Sequence, residues 1–382
     1  MRQSVWAGWG VLLLLVMSLG ISGCGSGTKR TATDSVGVEI PFRHAGLIRM
    51  YDCGAYEKVV VSDPWDSTRL LHTYLLVPRT DSLPEGLPSG TVLRVPLQQV
   101  VTLSSVHAGL MKRLGVLSCL SGICDTDYVV DSVVRNSIEQ GEVVDMGSSM
   151  SPNVELLLRF RPEAIWVSPF ENSGGYGQLD RIGLPLVECA DYMERSALGR
   201  AEWMRFYGRL LGCGERADSL FAAIEQRYRN LCRLAEGATE RPLLMADRRD
   251  GAAWYVPGGQ STLGRLYADA GARYAFSDYA QSGSVSLSFE TVYRIARDAD
   301  VWIIKYGQRE PLTYKQLKAD YAPYAGFKPW REQKIYGCNT MCVPFYEEEP
   351  FSPDLLLSDL VAILHPTVLP DAALCYFTPL EP

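Results

Sequence analysis

The chain has 382 residues, 47% hydrophobic, 21% charged and 10% aromatic, which excludes a mainly disordered chain and a polytopic membrane protein. Its 37 Lys and Arg against 44 Asp and Glu leave a net charge of −7, so no basic field exists to hold nucleic-acid phosphates. The length suits two or three domains of roughly 100–200 residues each.

The N-terminus carries Arg2, a mostly apolar run over residues 11–19, and then Ile21-Ser22-Gly23-Cys24. This is the layout of a secretory signal, and the small residues before Cys24 resemble a bacterial lipobox, in which the Cys is acylated and becomes the new N-terminus. The run is shorter than the about 20 apolar residues that a bilayer span requires. Residues 1–23 are therefore expected to be a signal peptide, Cys24 the lipidation site, and residues 24–35, rich in Gly, Ser and Thr, a tether. Ten Cys are present, and setting Cys24 aside leaves an odd nine that cannot all pair within one chain. Cys119/Cys124 and Cys338/Cys342 are the nearest pairs. Spacing alone leaves disulfides and buried free thiols equally open.

Residues 36–90 read as a small β-rich extension, with strands at 58–61 and 73–77 and turns at Asp63-Pro64 and Pro84-Glu85-Gly86. From residue 91 the rhythm changes. A buried-type strand at 100–103 is followed by Ser104-Ser105, suited to capping a helix over 106–114, and Gly115 suits its end. A helix over 153–160 with Glu155 in its first turn, a strand at 164–167, a short helix at 179–182 and a strand at 186–187 continue the pattern. Alternating helices and short apolar strands imply parallel α/β layering, here a first lobe over 91–213.

Residues 198–235 carry no strand signal and no Pro, and Gly212-Cys213-Gly214 divides them. Ala217, Leu220, Phe221, Ile224, Tyr228, Leu231 and Leu234 define one helical face, which predicts a long bridging helix over 214–237. A second lobe over 238–382 follows. It is expected to hold a strand at 242–246, a loop or turn at 254–259, helices at 261–270 and 289–296 and a strand at 301–304. An apolar helix over 355–364, capped by Ser352 or Asp354, is stopped by His365-Pro366.

Catalytic and nucleotide motifs are missing. No Gly-rich loop ends in Gly-Lys-Ser/Thr, no Gly-x-Gly-x-x-Gly follows a strand, and neither His-Glu-x-x-His nor Gly-x-Ser-x-Gly occurs. The four His, at 44, 72, 107 and 365, have no metal-motif spacing. ATP binding, dinucleotide binding and the common hydrolase chemistries are thereby disfavoured.

The pieces resemble a class III periplasmic substrate-binding protein, the family serving ATP-binding-cassette importers of cobalamin, haem and ferric siderophores. Residues 95–104 resemble its opening strand. Asp145-Met146-Gly147, Pro152-Asn153-Val154-Glu155 and Arg161-Pro162-Glu163-Ala164-Ile165 resemble its most recognisable segment, with Glu163 in place of the usual Asp. Residues 353–366 and the 36–90 extension resemble a Bacteroidetes-type lipoprotein branch. The resemblance implies an α/β fold of two Rossmann-like lobes joined by one long rigid helix, with ligand in the cleft and little hinge motion.

It further implies a periplasmic, lipid-anchored, monomeric, non-enzymatic protein without an intrinsic cofactor. Such a protein captures an iron chelate (siderophore or haem) or cobalamin and hands it to an ABC permease and its ATPase. Glu155 and Glu290 match the two acidic residues, one per lobe, that dock to permease arginines and fix orientation; each also suits a helix N-terminus in its own right. A surface-tethered chelatase or hydrolase, and a permease-independent carrier of haem or siderophore, are the competing expectations.

Ligands in α/β lobes sit beyond the C-terminal ends of strands. That places Ser104, Ser105 and His107 after the first strand, and Ser168, Phe170 and Tyr176 after the 164–167 strand. Arg248, Trp254 and Tyr255 come from the second lobe, and Tyr306 follows the 301–304 strand. Aromatic walls suit a flat macrocycle, and an Arg suits a ligand carboxylate. His107 is the one candidate ligand for a metal carried within a chelate; the alternative is a neutral helix-cap or core His.

Overall fold

The computed structural model describes residues 37–171 and 175–382. The expected signal peptide, tether and lipidation site Cys24 lie outside the described residues. Among the described residues no helix is long and apolar enough to cross a membrane.

The extension is a five-stranded sheet whose spatial order follows the chain: Val38–Ile40, Ile48–Asp52, Glu57–Ser62, Leu70–Pro78 and Thr91–Val95. The first three pairings are antiparallel and the last is parallel. Thr91–Val95, expected to open the first lobe, is thus the closing strand of this sheet. Met50 lies opposite Val59, and Val59 opposite Tyr74. This ladder is fully buried and shares one core with the first lobe, so the extension is a layer of the main body. Two carboxylates seat it there. Glu202 accepts the backbone N–H groups of Arg43, His44 and Ala45 at 2.7–3.0 Å. Glu194 accepts those of Gly46 and Leu47 at 2.9 Å.

The first lobe is a wholly parallel sheet in the order Leu186–Glu188, Ala164–Val167, Val100–Thr102, Leu120–Ile123, Val144–Asp145. Its short strands are apolar on both faces because helices cover both. Ser104 caps the Ser105–Leu114 helix by accepting from the Val106 N–H, and Gly115 ends it in the left-handed conformation (φ 71°). Leu179–Arg181 is a 3₁₀ turn.

The bridging helix is Gly214–Glu236, about 35 Å long at 1.5 Å per residue. Ala217, Phe221, Ile224, Tyr228 and Ala235 are buried along one face. Leu234, placed on that face by spacing, is exposed.

The second lobe repeats the arrangement: Arg273–Tyr274, Leu243–Ala246, Val301–Tyr306 and Ile335–Asn339 run parallel, and Thr378–Pro379 adds an antiparallel edge. The segment 254–259, expected to be a loop or turn, instead contains most of the Ala253–Pro257 strand. That strand lies between Arg249–Asp250 and Ser284–Leu287 in a separate antiparallel sheet. Its alternation of buried Trp254, exposed Tyr255 and buried Val256 is the period-2 signature of a half-covered strand, which the following Pro257-Gly258-Gly259 masked.

The C-terminal helix Pro353–Leu364 packs on the bridging helix. The Arg227 Nε donates to Asp354 Oδ2 at 2.6 Å, and neither Asp354 nor Ser352 caps by side chain. The turn before it, Phe345–Glu348, crosses to the first lobe. A Cβ on Gly109 would come within 2.3 Å of the Glu347 carbonyl oxygen, and Glu347 Oε1 accepts from the Val130 N–H at 2.9 Å. Residues 345–364 therefore contact the first lobe and the bridge, while Thr378–Pro379 completes the second lobe's sheet. All nine cysteines among the described residues are free thiols. Burial pushes Cys124 and Cys338 up to about 12.

Candidate functional site

A cavity of about 710 Å³ opens at the C-terminal ends of the first lobe's strands, within the size range of small-molecule sites. Ser104 and Ser105 form part of its wall, as do Ser168, Phe170 and Tyr176. These five sequence candidates are brought together because parallel strands all end on one side of the sheet. Tyr128, Met150 and Phe170 are exposed apolar side chains on its rim. Sequence reasoning missed Tyr128, Met150, Asp125 and Tyr192. The signal for Tyr192 was present, since it follows the 186–187 strand; the other three follow the 120–123 and 144–145 strands, which the sequence pattern did not show.

The walls are held from behind. The Tyr176 hydroxyl donates to Glu188 Oε1 at 2.8 Å. Glu188 Oε2 is 3.0 Å from His72 Nδ1, and the Glu188 N–H donates to the Tyr74 hydroxyl at 2.8 Å. His72 Nε2 and Thr91 Oγ1 are 2.8 Å apart. The extension's sheet thus backs this wall of the cavity. Burial and the Glu188 carboxylate together push the Tyr176 hydroxyl far above its ordinary value, so it stays a neutral donor. Asp125, with a left-handed backbone (φ 55°), accepts from the Ser149 N–H at 3.1 Å and ties two rim loops together.

His107 does not face the open cavity. It is 3% exposed, and its Nε2 lies 3.3 Å from Asp191 Oδ1. Its ring is edge-on to Trp166 and Tyr207, with centroids 5.4 and 5.1 Å away. Burial would raise the Asp191 carboxyl, but the hydrogen bond and charge of His107, helped by Arg200 and Tyr207, hold it below the usual carboxylate range. His107 is a buried residue paired to a carboxylate, and it does not line the main cavity.

The second lobe's candidates do not line this cavity. Trp254 is fully buried against Trp302, Tyr324 and Phe327, and its Nε1 donates to the Ala246 carbonyl at 3.1 Å; it is a core residue. Tyr306 is buried, with its hydroxyl accepting from the Leu312 N–H at 3.1 Å. Tyr255 is exposed on the outer face of the three-stranded sheet. Arg248 follows its strand as expected, but its Nη1 pairs with Asp320 Oδ2 at 2.8 Å. No group of three His, Cys, Asp or Glu side chains among the described residues has a metal-holding arrangement.

Glu155 and Glu290 occupy equivalent places. Each is exposed and is the second residue of a helix, Val154–Phe160 capped by Asn153 and Phe289–Ala296 capped by Ser288. Backbone and Ser288 hydrogen bonds hold the Glu290 carboxyl below its ordinary value.

The chain is 25% identical over 287 residues to an uncharacterized lipoprotein of Methanocaldococcus jannaschii, covering 72% of this chain and 67% of that one. A second uncharacterized lipoprotein of that organism is 21% identical over 353 residues, 88% of this chain and 86% of the relative. Among solved structures, the ABC-type Fe3+-hydroxamate transport system protein of Saccharomonospora viridis superposes with a TM-score of 0.55 at 17% identity, covering 71% of this chain and 94% of that chain. A periplasmic heme binding protein of Pseudomonas aeruginosa gives 0.54 at 18% identity, over 71% and 94%. The periplasmic vitamin B12 binding protein of Vibrio cholerae gives 0.52 at 12% identity, over 72% and 99%. At these identities the structures show the fold. The family model for periplasmic binding proteins matches residues 100–340, from the first parallel strand to the end of the strand Ile335–Asn339. By that match the chain belongs to the periplasmic binding protein family, a family of solute-binding proteins and not of enzymes.

Proposed function

We propose that this protein captures a metal chelate, namely a ferric siderophore, haem or cobalamin, and delivers it to an ABC importer. The observation that carries this is the 710 Å³ cavity with its aromatic rim, at the strand ends of a periplasmic binding protein lobe. Apolar and aromatic walls remove a large, flat ligand from water, while a few polar groups orient it. The names of the solved relatives, which include Fe3+-hydroxamate, heme and vitamin B12 proteins, support a ligand of this size and chemistry. Among the sequence candidates, Ser104, Ser105, Ser168, Phe170 and Tyr176 make the contacts. Glu155 and Glu290 dock the two lobes to the permease. Cys24 carries the lipid anchor, a role supported by the lipoprotein names of the sequence relatives, and holds a monomer at the membrane on its periplasmic side.

Titration of the purified protein with haemin, cyanocobalamin and ferric hydroxamate and catecholate siderophores, followed by tryptophan fluorescence, tests the capture. Saturable binding of one class, weakened at least tenfold by Phe170→Ala, is expected. No binding of any of them would refute it.

A further inference from the structure

The walls of the main cavity carry a charge of one sign. Five serines, three tyrosines and one glutamine supply most of its polar lining, and the one charged side chain among the described lining residues is the Asp125 carboxylate. Asp125 accepts the Ser149 N–H at 3.1 Å, a neutral donor that cancels none of that charge. Two of the three tyrosines have their single O–H proton committed to the protein. The Tyr176 hydroxyl donates to Glu188 Oε1 at 2.8 Å, and the Tyr192 hydroxyl donates to the Pro169 carbonyl. Neither has a proton left for an anionic solute.

Nearby cations are already matched to carboxylates. The smaller chamber that adjoins the cavity adds Arg200, which pairs with Asp191 at 3.2 Å and also attracts the buried Glu349. At the strand ends of the second lobe, Lys305 Nζ lies 2.8 and 3.1 Å from the two Asp247 oxygens, and Arg248 pairs with Asp320 at 2.8 Å. An anion entering the cavity would lose its water, gain no cation and meet the field of Asp125, which low-dielectric walls concentrate. A neutral or cationic solute escapes that cost.

We propose that this protein selects chelates without net negative charge, and that Asp125 is the residue that sets this preference. The proposal rests on the chelate-capture function given above and adds the charge class of the solute to it.

Ligand series that keep one metal cage and change only the charge test it. Ferrioxamine B, a cation through its terminal ammonium, is compared with its neutral N-acetyl and anionic N-succinyl derivatives. Haemin is compared with haemin dimethyl ester, and cyanocobalamin with its monocarboxylic acid. Ferric enterobactin is the trianionic catecholate. Binding is followed by tryptophan fluorescence. In each series that binds, the anionic member is expected to be about tenfold or more weaker than its neutral or cationic counterpart. Asp125→Asn keeps an oxygen to accept from Ser149 and suits a left-handed backbone as Asp does, so it removes the charge alone. It should shrink the affinity ratio within a series by about threefold or more, and a general loss of affinity cancels in that ratio. Affinities that do not fall with added negative charge, tighter binding of ferric enterobactin than of every neutral chelate, or a ratio that Asp125→Asn leaves unchanged would each overturn the charge selection while leaving chelate capture standing. Binding of none of these chelates by the parent would overturn both.

Discussion

The Tyr176 hydroxyl donates to Glu188 Oε1 at 2.8 Å, so the polar end of this cavity-wall residue is spent on a buried carboxylate. Tyr176→Phe keeps the ring and removes the bond. A hydrogen bond to a charged group is worth about 1.5–3 kcal/mol, and the variant should lose stability of that order in urea denaturation. Its affinity for the captured chelate should stay within about twofold. Tyr176→Ala should instead weaken binding about tenfold, through lost ring contact. A tenfold loss of affinity in Tyr176→Phe would show that the hydroxyl, and not the ring, meets the ligand.

Glu155 and Glu290 sit at the second residue of equivalent helices, one per lobe, and both are exposed. The double variant Glu155→Arg/Glu290→Arg should bind chelate as the parent does. On the docking role proposed above, it should abolish uptake in cells that depend on this protein, because reversed charges would repel permease arginines. Each single variant should retain partial uptake. Unimpaired transport by the double variant would remove both residues from docking.

Glu202 is fully buried and holds three successive backbone N–H groups of the extension. Glu202→Leu leaves those donors unsatisfied in the interior, at about 1–3 kcal/mol for each group left without a partner. A loss of about 3 kcal/mol or more in chemical denaturation is expected, with new proteolytic cleavage near residues 43–47. Resistance equal to that of the parent would mean that the extension is seated by its apolar ladder alone.

His365 ends the C-terminal helix, and its Nε2 lies 3.1 Å from the Ala270 carbonyl oxygen. Burial holds its imidazole below the ordinary histidine value. The folded state therefore favours the neutral ring. This contribution to stability is complete above the unfolded value of about 6.5 and is lost as pH falls through the lowered folded value. His365→Gln keeps a neutral donor at the same place. Between pH 7.5 and 5, the parent's melting temperature should fall further than that of His365→Gln. Parallel falls would show that the titration of His365 does not contribute.

Much of the fold was legible in the sequence. Apolar strands, Ser and Asn caps and the one-sided face of residues 217–231 placed the parallel lobes and the bridge, since these signals are local and set by backbone geometry. Half of the ligand candidates meet at one cavity for the same reason: Ser104, Ser105, Ser168, Phe170 and Tyr176 follow parallel strands, and strand ends share one edge. The second lobe's candidates failed because side-chain direction is not a local property. Trp254 and Tyr255 are neighbours in sequence, yet one is fully buried and the other exposed, and only the pairing of Ala253–Pro257 with Ser284–Leu287 decides which is which.

By itself, the sequence determined the class of molecule: two α/β lobes on one helix, acidic overall, with paired glutamates at matching helix starts. The tertiary structure alone decided which charged and polar groups pair with one another. Arg200 and His107 lie 93 positions apart and meet around Asp191, while Arg248, better placed by strand position, is neutralised by Asp320, 72 residues away. Long-range pairing of buried charges has no local signature, because it depends on which segments the core brings together and on which partners are left over once it has.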